Sequence, residues 1–185
     1  MKHIVWTLFM AVAVLTLTAC SEKKKSENII AQRVITVTPS GPVKMQEYAD
    51  ERDIQWIGRS YHVSIHRQAA DSLPKVKDET GQEFIDNTVT VIVSRQDGSV
   101  FFHRKFAKSD FIQYLDGDYG RTGILEGLVF SKPDNDWLEF AASVSHPQTD
   151  EYIPLVVRLS RMSDLVIRRD SRMDTEAQME EEVAD

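Results

Sequence analysis

Histidine has the broadest chemistry in this sequence, because an imidazole can bind a metal or move a proton near neutral pH. The candidates outside the N-terminal segment are His62, His66, His103 and His146. In SYHVSIHRQ, His62 and His66 alternate with large apolar residues, which predicts a strand with both histidines on its polar face. A strand rises about 3.3 Å per residue, so these imidazoles would stand about 13 Å apart. That is too far to share one zinc ion, whose ligands lie about 2.1 Å away. His103 can face either side, and its pairing with His62 or His66 is left open.

Acidic residues that are close in the sequence stand in segments with the composition of turns, where aspartate bonds to nearby backbone. Asp116 and Asp118 belong to DGDYG, which resembles the start of a calcium loop. The third acidic position, which is the fifth residue of such a loop, would be Gly120, and the twelfth residue would be Gly127 rather than a glutamate. We therefore predict no metal site and no catalytic carboxylate pair.

Nucleophile motifs are missing from the sequence. It contains no G-x-S-x-G and no glycine-rich phosphate loop. Its single cysteine is Cys20, so the rest of the chain has no thiolate nucleophile and no disulfide. We predict no catalytic residue and no cofactor, although scattered residues can assemble a triad without a local motif.

The position of Cys20 suggests an anchor. An apolar stretch, residues 4–17, follows a short basic start and is shorter than the roughly 20 residues that span a bilayer. Leu17-Thr18-Ala19-Cys20 resembles a bacterial lipobox. The resemblance implies cleavage before Cys20, lipidation of its sulfur, and a membrane partner through the lipid. A permanent N-terminal helix and an ordinary secreted protein are the alternatives.

The residues after Cys20 bear on location. Surface export of Bacteroidetes-type lipoproteins is associated with acidic residues after the anchor, whereas here Lys23, Lys24 and Lys25 follow Ser21-Glu22. We therefore predict a bacterial cell-envelope protein, lipid-anchored in the outer membrane and facing the periplasm.

Charge and length divide the chain into four segments. The net charge is −7, and residues 170–185 hold seven acids against one base. An acidic protein without a basic patch is not expected to bind nucleic acid. We predict a signal peptide at 1–19, a lipidated tether and linker at 20–45, a single β-rich domain at 46–171, and an acidic disordered tail at 172–185.

Alternation of apolar and polar residues predicts an all-β fold with one or two short helices. About seven strands follow one another with turn signals between them, an antiparallel meander forming a sandwich or a partly open barrel. Asp97-Gly98 predicts a tight type I′ hairpin. SDFIQYL predicts a helix capped by Ser109, DGDYG and SKPDND predict loops, and residues 42–51 predict a short helix.

Aromatic residues cluster in the middle of the chain, and most are expected in the core. Strict alternation would place Phe101 and Phe102 on opposite faces, leaving one of them exposed. The candidate binding face therefore comprises His62, His66, His103 and Phe101.

Several stretches resemble an uncharacterised lipoprotein domain of Bacteroides and its relatives, a domain of unknown function. They are SYHVSIHR, FIDNTVTVIVSRQDGSVFFHRKFAKSDF, GILEGLVF and WLEFAASVSHPQTDEYIPL. The resemblance covers most of residues 61–167 and implies an envelope lipoprotein without implying an activity. The expected function is a non-catalytic binding or assembly module with an envelope protein partner. A small-ligand-binding β-barrel carrier and an envelope hydrolase are the alternatives.

Overall fold

The computed structural model describes residues 41–171. The predicted signal peptide, Cys20, most of the tether and the acidic tail lie outside these residues. The elements are β1 (Tyr48–Trp56), β2 (Arg59–Ala69), β3 (Val76–Lys77), β4 (Glu83–Phe84), β5 (Asn87–Arg95), β6 (Val100–Ala107), a 3₁₀ helix (Lys108–Tyr114), α1 (Gly117–Thr122), β7 (Ile124–Asp134), β8 (Trp137–Ser145), β9 (Tyr152–Ser160) and β10 (Leu165–Arg169). No helix within the described range is both long and apolar enough to cross a membrane.

Two antiparallel four-stranded sheets form a sandwich-like arrangement. Sheet 1 has the order β1-β2-β5-β6, and sheet 2 has the order β10-β9-β8-β7. Strands β3 and β4, which lie between β2 and β5 in the chain, form a separate two-stranded hairpin. Within residues 41–171 no strand of sheet 1 pairs with a strand of sheet 2, so no barrel closes. The all-β prediction is confirmed, and of its two forms the sandwich is correct.

Alternation positions the core between the sheets. Val63 and Ile65 of β2 and Val89, Val91 and Val93 of β5 point inward and are at most 1% exposed. Alternate residues of β8 and β9 face them from sheet 2 and belong to the same buried cluster. Burial of each such side chain contributes about 1.5–3 kcal/mol to the free energy of folding, so the period-2 pattern fixes which face of each sheet is buried.

Strand β1 begins at Tyr48, inside the segment predicted as a helix, and residues 42–51 contain no helix, so that prediction is wrong. A tight turn at Ile57 and Gly58, both at positive φ, returns the chain from β1 into β2. Pairing with β2 along all of β1 bonds one edge of its backbone, and burial of Ile54 and Trp56 fixes its end. With β1 and the β3–β4 hairpin, the described residues hold ten strands rather than about seven.

The β5–β6 hairpin is present, but its turn differs from the predicted type I′. A type I′ turn needs positive φ at two successive residues, and here Gly98 has it while Asp97 does not. Gly98 N–H donates to Arg95 O, and Arg95 N–H donates to Ser99 O. The connection is therefore a three-residue loop with glycine in the left-handed position.

The short helix predicted for SDFIQYL is present, but its cap and two of the predicted loops differ from the prediction. Residues 108–114 form a 3₁₀ helix, and the Asp110 carboxylate, rather than Ser109, bonds the Ala107 N–H that precedes it. DGDYG, predicted as a loop, contributes most of α1. SKPDND is largely strand, because β7 continues to Asp134 and only Asn135 and Asp136 turn the chain.

Candidate functional site

The connections between strands differ at the two ends of the sandwich. At one end the chain turns within two to four residues, at 57–58, 96–99, 135–136 and 161–164; we call this the tight-turn end. At the other end lie the longer connections 70–86, 108–123 and 146–151; we call this the loop end. Binding residues concentrate in loops held by a rigid scaffold, so the loop end is where a site is expected.

Three of these connections enclose an open cleft of about 560 Å³ at the loop end. We call it the loop cleft. It is lined by the β3–β4 turn, by α1 and by the β8–β9 loop; the lining residues are Lys77, Asp78, Glu79, Thr80, Asp118, Thr122, His146, Pro147, Gln148, Thr149 and Glu151. Its volume lies within the range of about 300–1,000 Å³ that small-molecule sites occupy.

Asp78 organises the β3–β4 turn on one side of the cleft. Its Oδ1 accepts bonds from the Thr80 hydroxyl at 2.7 Å, the Thr80 N–H at 2.9 Å and the Gln82 N–H at 3.0 Å. The Thr80 hydroxyl, with the backbone donors, lowers the pKa of Asp78 below its ordinary value, against the opposing effect of burial. The carboxylate is therefore ionised at neutral pH.

His146 forms the opposite wall. Its ring stacks on Tyr119 with centroids 4.0 Å apart and planes inclined by 15°. Its Nδ1 lies 3.3 Å from Glu151 Oε2, and its Nε2 lies 3.2 Å from Asp118 Oδ2. The Nε2 contact does not have the alignment of a hydrogen bond. The imidazole thus joins the β8–β9 loop to α1.

The pKa of Tyr119 is raised by its surroundings next to His146. Burial raises the pKa of its phenol, and the negative charges of Glu151, Asp116 and Asp118 raise it further. The hydroxyl therefore stays protonated at physiological pH, and Tyr119 adds no charge beside the His146 ring.

The hydroxyl groups that line the cleft are not bonded to the imidazole of His146. A nucleophilic site needs a hydroxyl or thiol bonded to its base, yet both nitrogens of His146 face carboxylates. The hydroxyl of Thr149 donates to backbone rather than to the imidazole. Four carboxylates line the cleft against one ammonium, and Lys77 is directed toward Glu83 at 3.4 Å. The cleft accordingly presents negative charge to a ligand.

The histidines predicted as a binding face do share one face, the outer face of sheet 1. His62 pairs with Asp53 at 2.8 Å, and His66 lies 3.8 Å from Glu47, both carboxylates belonging to β1. His103 lies on the same face, opposite Ile92 of β5. Strand β5 separates it from β2, so the three imidazoles do not converge. Among residues 41–171, no three His, Cys, Asp or Glu side chains are placed to hold a metal ion.

Phe101 does not join that face. The register of β5 and β6 shifts between Val93 and Ser94, so Phe101 is an extra residue in the ladder. Because a bulge interrupts alternation, Phe101 and Phe102 both pack against the core instead of pointing apart. The expectation that one of them is exposed is wrong.

His146 is a candidate site residue that sequence reasoning did not select. Its partners Asp118 and Tyr119 are about 27 residues away in the chain. The sequence does contain one signal for this contact, the number of strands between the two segments. In a meander every second connection lies at the same end, which brings DGDYG and SHPQTDE together.

Comparison with known families gives one match. Residues 29–167 match a family described as a domain of unknown function (DUF4738). Comparison with curated proteins finds no match. The matched region includes all ten strands except the last two residues of β10, so the sandwich and the loop cleft are features of the matched domain. The chain belongs to this family of domains of unknown function, which agrees with the predicted membership of an uncharacterised family.

Proposed function

We propose that the protein is a lipid-anchored, non-catalytic binding module of the bacterial cell envelope that holds a basic segment of a partner protein in the loop cleft. The observation that carries the proposal is the charge of this cleft, whose lining holds Asp78, Glu79, Asp118 and Glu151 but one lysine, with Arg121 beside Asp118 as the other cation. Opposite charges in a concave site speed association and select the partner.

The anchor rests on the sequence. Leu17-Thr18-Ala19-Cys20 follows an apolar segment, and Cys20 is the only thiol in the chain. Lysines rather than acids follow at positions 23–25, which favours an outer-membrane lipoprotein facing the periplasm.

The geometry gives less support to the two alternatives. A carrier needs interior space, but buried side chains from both sheets fill the region between them. A hydrolase needs a convergent nucleophile and base, and the three histidines of sheet 1 lie apart while His146 faces two carboxylates.

A fluorescent hexalysine peptide tests the cleft directly on the full chain in detergent micelles. Replacing Asp118 with Asn and Glu151 with Gln removes two exposed charges, each worth about 0.3–1 kcal/mol of binding free energy. We expect the double variant to weaken binding about 3- to 30-fold, since 1.4 kcal/mol is a factor of ten. The matched control replaces Asp136 with Asn and Glu51 with Gln, two exposed carboxylates outside the cleft. An equal loss in both double variants would show attraction to net charge and contradict the proposal.

Labelling cells with radioactive palmitate tests the anchor. Label should enter the wild type and be lost in Cys20→Ala, with Ser21→Ala as the control that keeps the cysteine.

Crosslinking in intact cells then tests the partner: a protein captured by the wild type should be lost with the charge reversals Asp118→Lys and Glu151→Lys. It should be retained with Asp136→Lys. Capture that ignores the cleft reversals would place the partner elsewhere on the domain.

A further inference from the structure

The tight-turn end carries a second cleft, of about 500 Å³, that no part of the proposed function uses. It lies between the β1–β2 turn and the β5–β6 turn. Its polar lining is Gln55, Arg59, Ser60, Arg95, Gln96 and Asp97. We call it the arginine cleft.

Arg95 is held in position by an aromatic floor. Its guanidinium carbon lies 5.2 Å from the centre of the Phe101 ring, which in turn packs against Trp56 and Tyr61 at 5.7 and 5.8 Å. Arg95 Nη1 also donates to Ser99 Oγ and to Val100 O, each at 3.3 Å. The bulge that turns Phe101 inward therefore fixes a guanidinium at the cleft.

Arg59 and Arg95 differ from most arginines of the domain in their pairing. Six described arginines have a carboxylate within 4 Å: Arg52, Arg104, Arg121, Arg158, Arg161 and Arg169. Within residues 41–171, neither Arg59 nor Arg95 forms such an ion pair. Gln55, beside them, donates its amide to Ser60 Oγ at 2.7 Å.

Asp97 is the acidic residue of the cleft, and its carboxylate is hydrogen-bonded within the β5–β6 turn. Its Oδ1 accepts the Ser99 hydroxyl at 2.6 Å and the Ser99 N–H at 2.9 Å. These bonds, and then the charge of Arg95, lower the pKa of Asp97 below its ordinary value. With this carboxylate ionised, the lining still carries a net charge of +1, in a chain whose net charge is −7.

We propose that the arginine cleft binds the oxyanion group of a ligand, a phosphate or a carboxylate, through the guanidinium groups of Arg59 and Arg95. A guanidinium presents a planar fork of donors that matches two oxygens of such a group. The site is independent of the loop cleft, which lies at the opposite end of the sandwich and has the opposite charge.

Titration of the full chain in detergent micelles tests this site, with inorganic pyrophosphate and citrate as probes and calorimetry at low ionic strength as the readout. We expect saturable binding that weakens at least about tenfold in Arg59→Gln and in Arg95→Gln, since each loses charge-assisted hydrogen bonds. Arg161→Gln, at the same end but paired with Asp136, is the control and should bind like the wild type. Arg59→Lys keeps the charge without the fork and should fall between wild type and Arg59→Gln.

A second arm identifies the source of the oxyanion. Vesicles containing phosphatidylglycerol are offered at the same phosphate concentration, with phosphatidylcholine vesicles as the reference. Vesicle binding that needs both arginines, without pyrophosphate or citrate binding, would support the site and assign the phosphate to a lipid. No saturable binding in either arm, or equal binding by Arg59→Gln and Arg161→Gln, would overturn the proposal. Because these probes are anionic, failure here leaves the hexalysine result at the loop cleft unaffected.

Discussion

Replacing Asp86 with asparagine tests whether one buried carboxylate joins the two sheets. Asp86 is 3% exposed and lies just before β5. Its Oδ1 accepts N–H bonds of 2.8 Å from Asn87 and from Leu125 of β7, and its Oδ2 lies 3.5 Å from Lys108 Nζ. Lys108 also donates to the backbone oxygen of Gly123. The substitution keeps the shape and one acceptor oxygen but removes the charge that faces the ammonium.

The magnitude follows from burial. Two unit charges 3.5 Å apart attract by about 5 kcal/mol at an effective dielectric constant of about 20. Removing one partner of a buried pair typically costs about 3–5 kcal/mol, because the other charge is left uncompensated. The side chain of Lys108 is 14% exposed, so water reaches it in part and the lower end applies. We expect Asp86→Asn to lower the free energy of unfolding by about 3 kcal/mol.

Urea unfolding followed by circular dichroism measures this loss. With a slope of about 1.5 kcal/mol per molar, the midpoint should fall by about 2 M. The control is Asp71→Asn, whose pair with Lys44 is shorter, at 2.9 Å, but whose partners are 51% and 71% exposed. That change should cost less than about 1 kcal/mol.

Two results would refute the reasoning. One is a midpoint for Asp86→Asn within error of that for Asp71→Asn, which would mean that burial does not set the value of these pairs. The other comes from adding Lys108→Met to Asp86→Asn. Because the uncharged double variant leaves no buried charge, it should recover part of the lost stability. A fully additive loss would show that the two side chains do not interact.

Three further predictions follow from the pKa shifts and the aromatic contacts. Ser99→Ala should raise the pKa of Asp97 toward its ordinary value, which an NMR titration measures. In the wild type the depressed pKa of Asp97 stabilises the fold above about pH 4. That contribution is lost as the pH falls through the folded pKa. An unchanged Asp97 titration would contradict the hydrogen bond as its cause. Asp118→Asn should lower the pKa of Tyr119 while burial keeps it above the ordinary value, seen by ultraviolet titration against a Tyr119→Phe reference. Phe101→Ala should reduce the free energy of unfolding by about 2 kcal/mol, since half-buried Phe101 has two edge-on ring contacts; a loss below about 0.5 kcal/mol would mean that the ring packs on nothing.

The parts of the fold that the sequence predicts are those with two-fold periodicity. In the central residues 61–65 of β2 and 89–93 of β5, each inward residue is apolar and each outward residue except Ile92 is polar, so strand, face and register follow together. Strand β1 carries the weaker pattern YADERDIQW, in which only Ile54 and Trp56 are buried. An edge strand with one neighbour and a solvated face has little need of apolar residues, which is why its sequence resembles a charged helix.

The site depends on information of a different kind. His146 and Asp118 meet because of strand count and loop direction, and neither appears in a local motif. The inward turn of Phe101 depends on a single shifted pair in the β5–β6 ladder. Alternation assumes an unbroken ladder, so one bulge was enough to assign Phe101 to the wrong surface.

The division of the strands has a kinetic consequence. Sheet 1 uses only residues 48–107, and sheet 2 uses only residues 124–169. Every ladder within a sheet joins strands that are near neighbours in the chain, so its loop-closure entropy is small. Contacts between the sheets join distant residues, and such contacts slow folding. We expect each meander to acquire its pairing early and the docking of one meander on the other to limit the rate. A chain cut near residue 116 would then separate two complete sheets, and the two fragments should reassociate without exchanging a strand.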